Sequence, residues 1–359
     1  HLNLKATTAQ LLQGKFDEIV LATGVTPRVP NIDGIDHPTV LSYVDVLSHR
    51  IKVGHRVAIV GAGRVGETTA QILAEQETCR EVVLIDIRED VPQGVALDIF
   101  QTAPFFEFDT RVTDSNDPSA MDGAEVVVIT AGVPRKPGMS RSDVLDTNVA
   151  VIDGIVANMV RYAPNAIVIM VTNPVDVLTY RVWQLTGWPR ERVLGQAGVL
   201  DASRMAAFIA METGFSTRDI TTIVLGGHGD TMVPVTRFCT VNGVPVSQFI
   251  GEKRLAEIVQ RTRGGGAEIL ALRKNSSAYD APGASVAAMV DAISHHRNRL
   301  LPSVAILDGD VETKLVTRRW LEELLEETQH HARRLQSGDQ HGPTGRSRSE
   351  GHAWVTIRR

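Results

Sequence analysis

At 359 residues the chain is long enough for two domains with separate cores, and 43% hydrophobic with 22% charged content is ordinary for a globular protein. A net charge of -5 and a pI near 6.1 leave no basic footprint for nucleic acid or an anionic membrane surface, so a small-molecule partner is expected. Two distant cysteines, Cys79 and Cys239, give neither a disulfide framework nor a zinc knuckle, and no apolar run approaches the roughly 18 residues of a spanning helix. A reducing compartment, the cytoplasm, is expected. The chain opens on His1 rather than Met, which reads as a piece of a longer reading frame.

Residues 1–54 carry their own strand, "FDEIVLATG", and a Pro-rich loop, "TPRVPNIDGIDHP". From Arg56 onward, short β-branched runs alternate with helical patterns, the signature of a parallel sheet flanked by helices. The runs are "VAIV" (57–60), "VVLIDI" (82–87), "VVVIT" (126–130) and "IVIMV" (167–171), apolar without alternation and so buried on both faces. After about Gly198 the texture changes. A helical "LDASRMAAFIAMETG" gives way to "ITTIVLGGHGD" and then to "RFCTVNGVPV", where Asn242-Gly243 between apolar flanks predicts a hairpin. Helices are expected around 250–273 and 284–299. Near the end, "RRWLEELLEETQHHARRL" places Trp320, Leu321, Leu324, Leu325, Thr328, Ala332 and Leu335 on one helical stripe, followed by a polar, Gly-rich tail expected to be disordered.

The strongest local signal is "VAIVGAGRVGETTAQILA": a strand, then Gly61-x-Gly63-x-x-Gly66, then a helix, with Asp86 ending the next strand 20 residues on. Gly61 permits the tight turn, Gly63 lets a pyrophosphate approach the backbone, and Gly66 lets the helix pack on the sheet. Asp86 can accept hydrogen bonds from the adenosine ribose, and its charge would repel a 2'-phosphate. NAD is therefore expected over NADP, with Arg88 close by as the one feature pulling the other way.

The second half adds Asn173 in "VTNPVD", Asp201 and Arg204 one helical turn apart in "GQAGVLDASR", and His228 between glycines in "LGGHGD". Singly, each has a bland explanation: a turn, a helix cap, a solvated helix face, a satisfied loop histidine. The loop "GVPRKPGMSR" (132–141), with three cations around a Pro-Gly turn, is in isolation a solvated surface loop.

Together, in order and spacing, these motifs closely resemble the malate dehydrogenases of the lactate-dehydrogenase-like type over residues 55 to about 309, with "IDIREDVPQGVALDI" and "GGHGDTMVPV" as further matches. The resemblance implies an α/β fold: a Rossmann-type doubly wound parallel sheet (55–198) and an α+β substrate domain (199–310) cut short at its C-terminal end. It implies an NAD-dependent enzyme interconverting malate and oxaloacetate, as a homodimer or homotetramer. It places Gly61, Ala62, Gly63, Arg64, Val65 and Gly66 around the cofactor's pyrophosphate and Asp86 at its ribose. Asn148, Val171, Thr172 and Asn173 are further cofactor contacts.

His228 is then the group that moves a proton on the substrate oxygen, a task suited to imidazole near neutral pH. Asp201 would fix its tautomer. Arg204 would hold the C1 carboxylate bidentately, a job for guanidinium geometry, and Asn173 would hydrogen-bond the substrate oxygen. The basic loop resembles the mobile lid over the active site. Arg141 would polarise the carbonyl as charge builds on its oxygen, and Arg135 would pair the second carboxylate, where lactate enzymes typically carry glutamine. A monocarboxylate would leave that guanidinium buried and unpaired, at about 2–5 kcal/mol. Oxaloacetate is therefore expected over pyruvate, and Lys136 is left as a solvated charge.

The ends depart from that family. Residues 1–54 resemble the segment preceding the NAD(P)H-binding glycine loop in flavoproteins of the 2,4-dienoyl-CoA reductase type, without a flavin domain. The malate dehydrogenase match is expected to stop near Asp310, where family members continue with further strands; 311–359 is expected to be unrelated helix and tail. Losing those strands would expose apolar surface and an unpaired sheet edge. Three other readings stay open: a catalytically impaired NAD-binding fusion, a dehydrogenase of lactate or another 2-hydroxy acid, and a flavin-linked enoyl reductase remnant.

Overall fold

The computed structural model describes residues 54–133, 141–229 and 231–306, with Gln13, Asn31, Asp33, Ile35 and Val40 before them. The chain divides into two units, His1–Val53 and Gly54–Arg359, and the fold below is that of the second. The "FDEIVLATG" strand, the basic lid loop from Pro134 to Ser140, the C-terminal helix stripe and the tail lie outside the described residues.

In chain order, β1 (Arg56–Val60) leads to α1 (Arg64–Glu75), β2 (Glu81–Ile85), α2 (Val91–Gln101), α3 (Ala103–Phe106), β3 (Arg111–Ser115), β4 (Val126–Ile129), α4 (Arg141–Tyr162), β5 (Ile167–Met170), α5 (Val175–Thr186) and β6 (Val193–Gly195). The second half follows as α6 (Gly198–Thr213), β7 (Ile220–Thr221), β8 (Val224–Gly226), β9 (Met232–Pro234), β10 (Thr240–Val241), β11 (Val244–Pro245), α7 (Glu252–Arg273), α8 (Asp280–Ser294) and β12 (Val304–Ala305).

The large sheet runs β12-β6-β5-β4-β1-β2-β3, with β1 to β6 parallel and β12 antiparallel on the β6 edge. Strand β1 lies inside the sheet, between β4 and β2, because both of its faces are apolar. Val57 and Ile59 point into one buried cluster, where Leu73 of α1 and Val286 and Val290 of α8 meet them; Ala58 and Val60 point into the other, with Ile152 and Met159 of α4 and Leu178 of α5. Each fully buried Val, Ile or Leu stabilises the fold by about 1.5–3 kcal/mol. Helix α8 approaches α1 closely because residue 283 is glycine: a Cβ there would sit 2.7 Å from Thr68 Cγ2. The chain reverses its winding between β1 and β4, so a crevice opens at the carboxyl ends of those two strands, where ligands bind in such sheets.

The second half has a separate cluster: Ala202, Met205 and Ile209 of α6, Ile258 of α7, Ile220, Val224, Met232 and Val241 from two small antiparallel sheets, β11-β10-β7 and β8-β9, and Cys239 just before β10. The expected hairpin is there. Asn242 at φ 46° and Gly243 at φ 84° join β10 to β11 in the left-handed pairing that a tight two-residue loop requires.

Helix α8 differs from the expected 284–299 at both ends. Pro282 and Gly283 fall in its first turn, where a missing N–H costs nothing, and it stops at Ser294 with His296 at φ 49° just beyond. Strands β3, β6 and β12 were not expected: β3 is a half-exposed edge, and the other two are three and two residues long. Among the described residues, no helix is long and apolar enough to cross a membrane.

Candidate active site

The glycine loop joins β1 to α1 at the mouth of the crevice. Gly61 adopts φ +113°, and a Cβ on it would lie 2.6 Å from the Ala131 nitrogen, so only glycine fits. A Cβ on Gly66 would collide with the Gly61 carbonyl oxygen. Around Gly63 nothing lies within 4 Å, which leaves its face open to a ligand, and no side chain caps the N-terminus of α1. This is the cradle an anionic pyrophosphate needs. Ala62 and Val65 complete the loop; Ala62 is buried, and its N–H donates to Asp86 Oδ2 at 2.9 Å. Arg64 is turned outward, its guanidinium 3.4 Å from Glu67 and over the Tyr279 ring. Thr130, unremarked in the sequence, donates from its hydroxyl to the Gly61 carbonyl at 2.8 Å and ties the loop to β4.

Asp86 stands just past β2, as expected, but it is already engaged. The Arg88 guanidinium forks onto it, Nε to Oδ1 at 3.0 Å and an Nη to Oδ2 at 2.8 Å, and the Arg88 N–H adds a third bond at 3.0 Å. Burial pushes this carboxyl up, yet the donors from Arg88 and Ala62 outweigh it and hold it below the usual carboxylate range.

Across the crevice, the ends of β4 and β5 are stitched together. The Thr172 hydroxyl donates to the Ala131 carbonyl at 2.7 Å, and Val171 is buried behind it. Asn148, on the second turn of α4, is 1% exposed. Its Oδ1 accepts from the Val133 N–H at 2.8 Å, and its Nδ2 donates to the Asn173 carbonyl at 2.9 Å and the Val133 carbonyl at 3.3 Å. That amide binds the backbone of Val133 and Asn173 at the end of the crevice. Asn173 itself is exposed at the end of β5, before a cis Pro174.

The substrate half is organised by Asp201, which is 1% exposed in the first turn of α6. One oxygen accepts from Arg204 Nη1 at 3.0 Å; the other lies 3.0 Å from His228 Nδ1. A carboxylate only accepts hydrogen bonds, so Nδ1 carries the proton of the neutral ring and Nε2 is left as its base. His228 reaches this point from the turn after β8, where Gly226 at φ +86° brings the chain within 2.5 Å of the Val233 nitrogen for any Cβ placed there. Arg204 keeps a buried Nε with no hydrogen-bond partner among the described residues. A cationic donor left open beside a histidine base is the arrangement that receives a carboxylate.

Helix α7 makes room for that guanidinium. A Cβ on Gly265 would lie 3.2 Å from Arg204 Cδ, and one on Gly266 3.7 Å from an Arg204 Nη. Sequence reading passed over these positions. Their signal was three consecutive glycines, 264–266, inside a helical pattern, where each costs about 0.5–1 kcal/mol against alanine. Of the expected lid cations, Arg141 is the first residue of α4, and Arg135 lies outside the described residues.

Comparison with known proteins meets this geometry. A family model described as lactate/malate dehydrogenase, NAD binding domain, matches residues 55–195, and one described as lactate/malate dehydrogenase, alpha/beta C-terminal domain, matches 198–318. Malate dehydrogenase of Thioalkalivibrio sulfidiphilus is 63% identical over 255 residues, which cover 71% of this chain and 83% of the relative. The chain belongs to the lactate/malate dehydrogenase family.

Malate dehydrogenase of Nitrosococcus oceani is 59% identical over 71% of the chain and 82% of its own length. Among solved structures, malate dehydrogenase from Salinibacter ruber superposes with TM-score 0.69 at 38% identity, covering 79% of this chain and 100% of that one. Lactate dehydrogenase from Eimeria maxima with NADH and oxamate gives 0.72 at 28%, covering 82% and 99%. In this family member the doubly wound sheet is the NAD-binding domain, and the open face at Gly63 fits that assignment. The C-terminal family match runs to residue 318, past the Asp310 limit expected from the sequence. A third model, pyridine nucleotide-disulphide oxidoreductase, matches residues 3–101, spanning the N-terminal arm and the glycine loop. The two families share that loop.

Proposed function

We propose that this chain is an NAD-dependent malate dehydrogenase, catalysing reversible hydride transfer between C2 of malate and NAD to give oxaloacetate and NADH. The observation that carries the reading is Asp201, buried and joining His228 to Arg204. Nicotinamide, when bound, supplies the hydride acceptor and donor; the chain's own residues handle charge and protons. Arg204 takes the C1 carboxylate through the donors that Asp201 leaves open. His228 Nε2 accepts the hydroxyl proton as malate is oxidised and returns it as oxaloacetate is reduced, while Asp201 stabilises the imidazolium between those steps. Asn173 donates to the substrate oxygen, Arg141 polarises the carbonyl, and Arg135 pairs the C4 carboxylate. Asp86 receives the cofactor ribose, the Gly61–Gly66 loop its pyrophosphate, and Val171, Thr172 and Asn148 frame the nicotinamide end. Residues 55–198 and 199–310 serve as cofactor and substrate domains.

The test is NADH oxidation driven by oxaloacetate, pyruvate and 2-oxoglutarate on purified protein. Oxaloacetate turnover that disappears in His228→Asn, with NADH binding retained, supports the assignment; equal or faster turnover of pyruvate defeats it.

We also propose that the protein works in the cytoplasm as a homodimer or homotetramer. Leu97, Phe100, Phe105 and Phe106 of α2 and α3 are exposed, Phe105 to 84%, and apolar side chains left to solvent in this way favour association. Sedimentation as a monomer at micromolar concentration would refute the oligomer.

A further inference from the structure

The Asp86 carboxylate has two oxygens and about four places to accept hydrogen bonds. All four are in use: Ala62 N–H and an Arg88 Nη on Oδ2, Arg88 N–H and Nε on Oδ1. A ribose diol that binds this carboxylate must displace something. The two backbone donors are fixed, because Ala62 belongs to the glycine loop and the 86–88 turn is clamped from behind. There Asn116 Nδ2 donates to the Asp86 carbonyl at 2.7 Å and the Arg88 carbonyl at 2.9 Å, and Gln93 holds Asn116 in place at 2.9 Å. The Arg88 side chain is the movable part. It is 56% exposed, against 9% for Asp86, and among the described residues its guanidinium pairs with Asp86.

Resting on the cofactor assignment above, we propose that Arg88 is a specificity-determining latch on the ribose subsite, which weakens NAD(H) and admits a dinucleotide carrying a 2'-phosphate. Two consequences come from one side chain. While it forks onto Asp86, it competes with the ribose hydroxyls of NAD(H). Swung aside, it would still lie beside the carboxylate that receives the ribose, where a guanidinium can take a 2'-phosphate bidentately and offset the repulsion from Asp86. A purely structural ion pair would do neither, since a pair this exposed adds little to folding.

The experiment is titration of NADH and NADPH against the full chain, followed by nicotinamide fluorescence or calorimetry, in wild type, Arg88→Ala and Arg88→Lys. In Arg88→Ala, NADH should bind about two- to five-fold more tightly, the worth of an exposed ion pair removed. NADPH should bind about ten-fold or more weakly, the loss of a charge-assisted contact. Arg88→Lys keeps a point charge without the fork, so it should tighten NADH yet retain most of the NADPH affinity. Unchanged affinities, or both cofactors moving in the same direction, would overturn the proposal. Binding is read without turnover. Oxaloacetate reduction with unmoved affinities would sink the latch alone, and shifted affinities without turnover would sink the dehydrogenase assignment alone.

Discussion

Replacing Asp201 by Asn keeps the size of the side chain and removes the acceptor that joins the two halves of the site. Each of its oxygens holds one cationic or proton-bearing partner at 3.0 Å in a 1%-exposed position. Two losses follow. His228 loses a charge-assisted bond to its protonated form, worth about 1.5–3 kcal/mol, and the amide can present its NH2 to Nδ1, which selects the wrong tautomer. Arg204 loses its one carboxylate partner among the described residues, and a buried guanidinium left unpaired costs about 2–5 kcal/mol when a partner is truncated. The losses share one residue and do not simply add. An overall loss of about 3–5 kcal/mol is expected, or about two to four decades in kcat/KM for oxaloacetate. NADH oxidation measured by absorbance gives kcat/KM, and fluorescence titration gives the NADH affinity, which should be unchanged because Asp86 and the glycine loop lie in the other domain. Near-normal turnover, or loss of NADH binding alongside loss of turnover, would refute the reasoning.

Gly265→Ala should separate stability from function: alanine raises helix propensity by about 1 kcal/mol, but its Cβ would press Arg204 Cδ at 3.2 Å. The melting temperature should hold or rise while KM for oxaloacetate rises, and an unchanged KM would clear Gly265 of any role. Gly66→Val should abolish NADH binding, because its Cβ meets the Gly61 carbonyl; calorimetry showing wild-type affinity would contradict the packing described. Arg135→Gln should move preference toward monocarboxylates by about two decades, and an unchanged oxaloacetate-to-pyruvate ratio would remove that residue from substrate recognition. Asp86 titrates below its ordinary value in the folded chain, so the stability it adds is present above the unfolded value and lost as pH falls through the folded one. The urea-midpoint difference between wild type and Arg88→Ala should therefore be flat down to about pH 5 and shrink below about pH 4; growth of that difference in acid would reverse the sign of the argument.

The cofactor half was legible because its signals are local. A central parallel strand is a continuous apolar run, and the glycine turn needs its three glycines at fixed spacing whatever surrounds them, so "VAIV" and Gly61, Gly63 and Gly66 could be placed by reading alone. Strand β3 escaped because "RVTDS" lies on the sheet edge, where polar residues are tolerated, and β6 because three residues carry no period. In the substrate half, the helical spacing of Asp201 and Arg204 was readable, but its closure by His228 depends on a contact spanning 27 residues, and the room at Gly265 on one spanning still more. Asn148 shows the limit most clearly. Its place in the series was recognisable, yet only the fold reveals that its amide binds the backbone of Val133 and Asn173. The Arg88 fork on Asp86 is likewise a rotamer fact, suggested by proximity in sequence and decided by geometry.

The most direct measurement is a crystal structure of the full chain with NAD and a non-reacting analogue of oxaloacetate. The account predicts the analogue's C1 carboxylate on Arg204, its C2 oxygen on His228 Nε2, and the cofactor pyrophosphate over Gly63. A diacid seated away from the Asp201 pair, or a dinucleotide that leaves the Gly63 face bare, would contradict it.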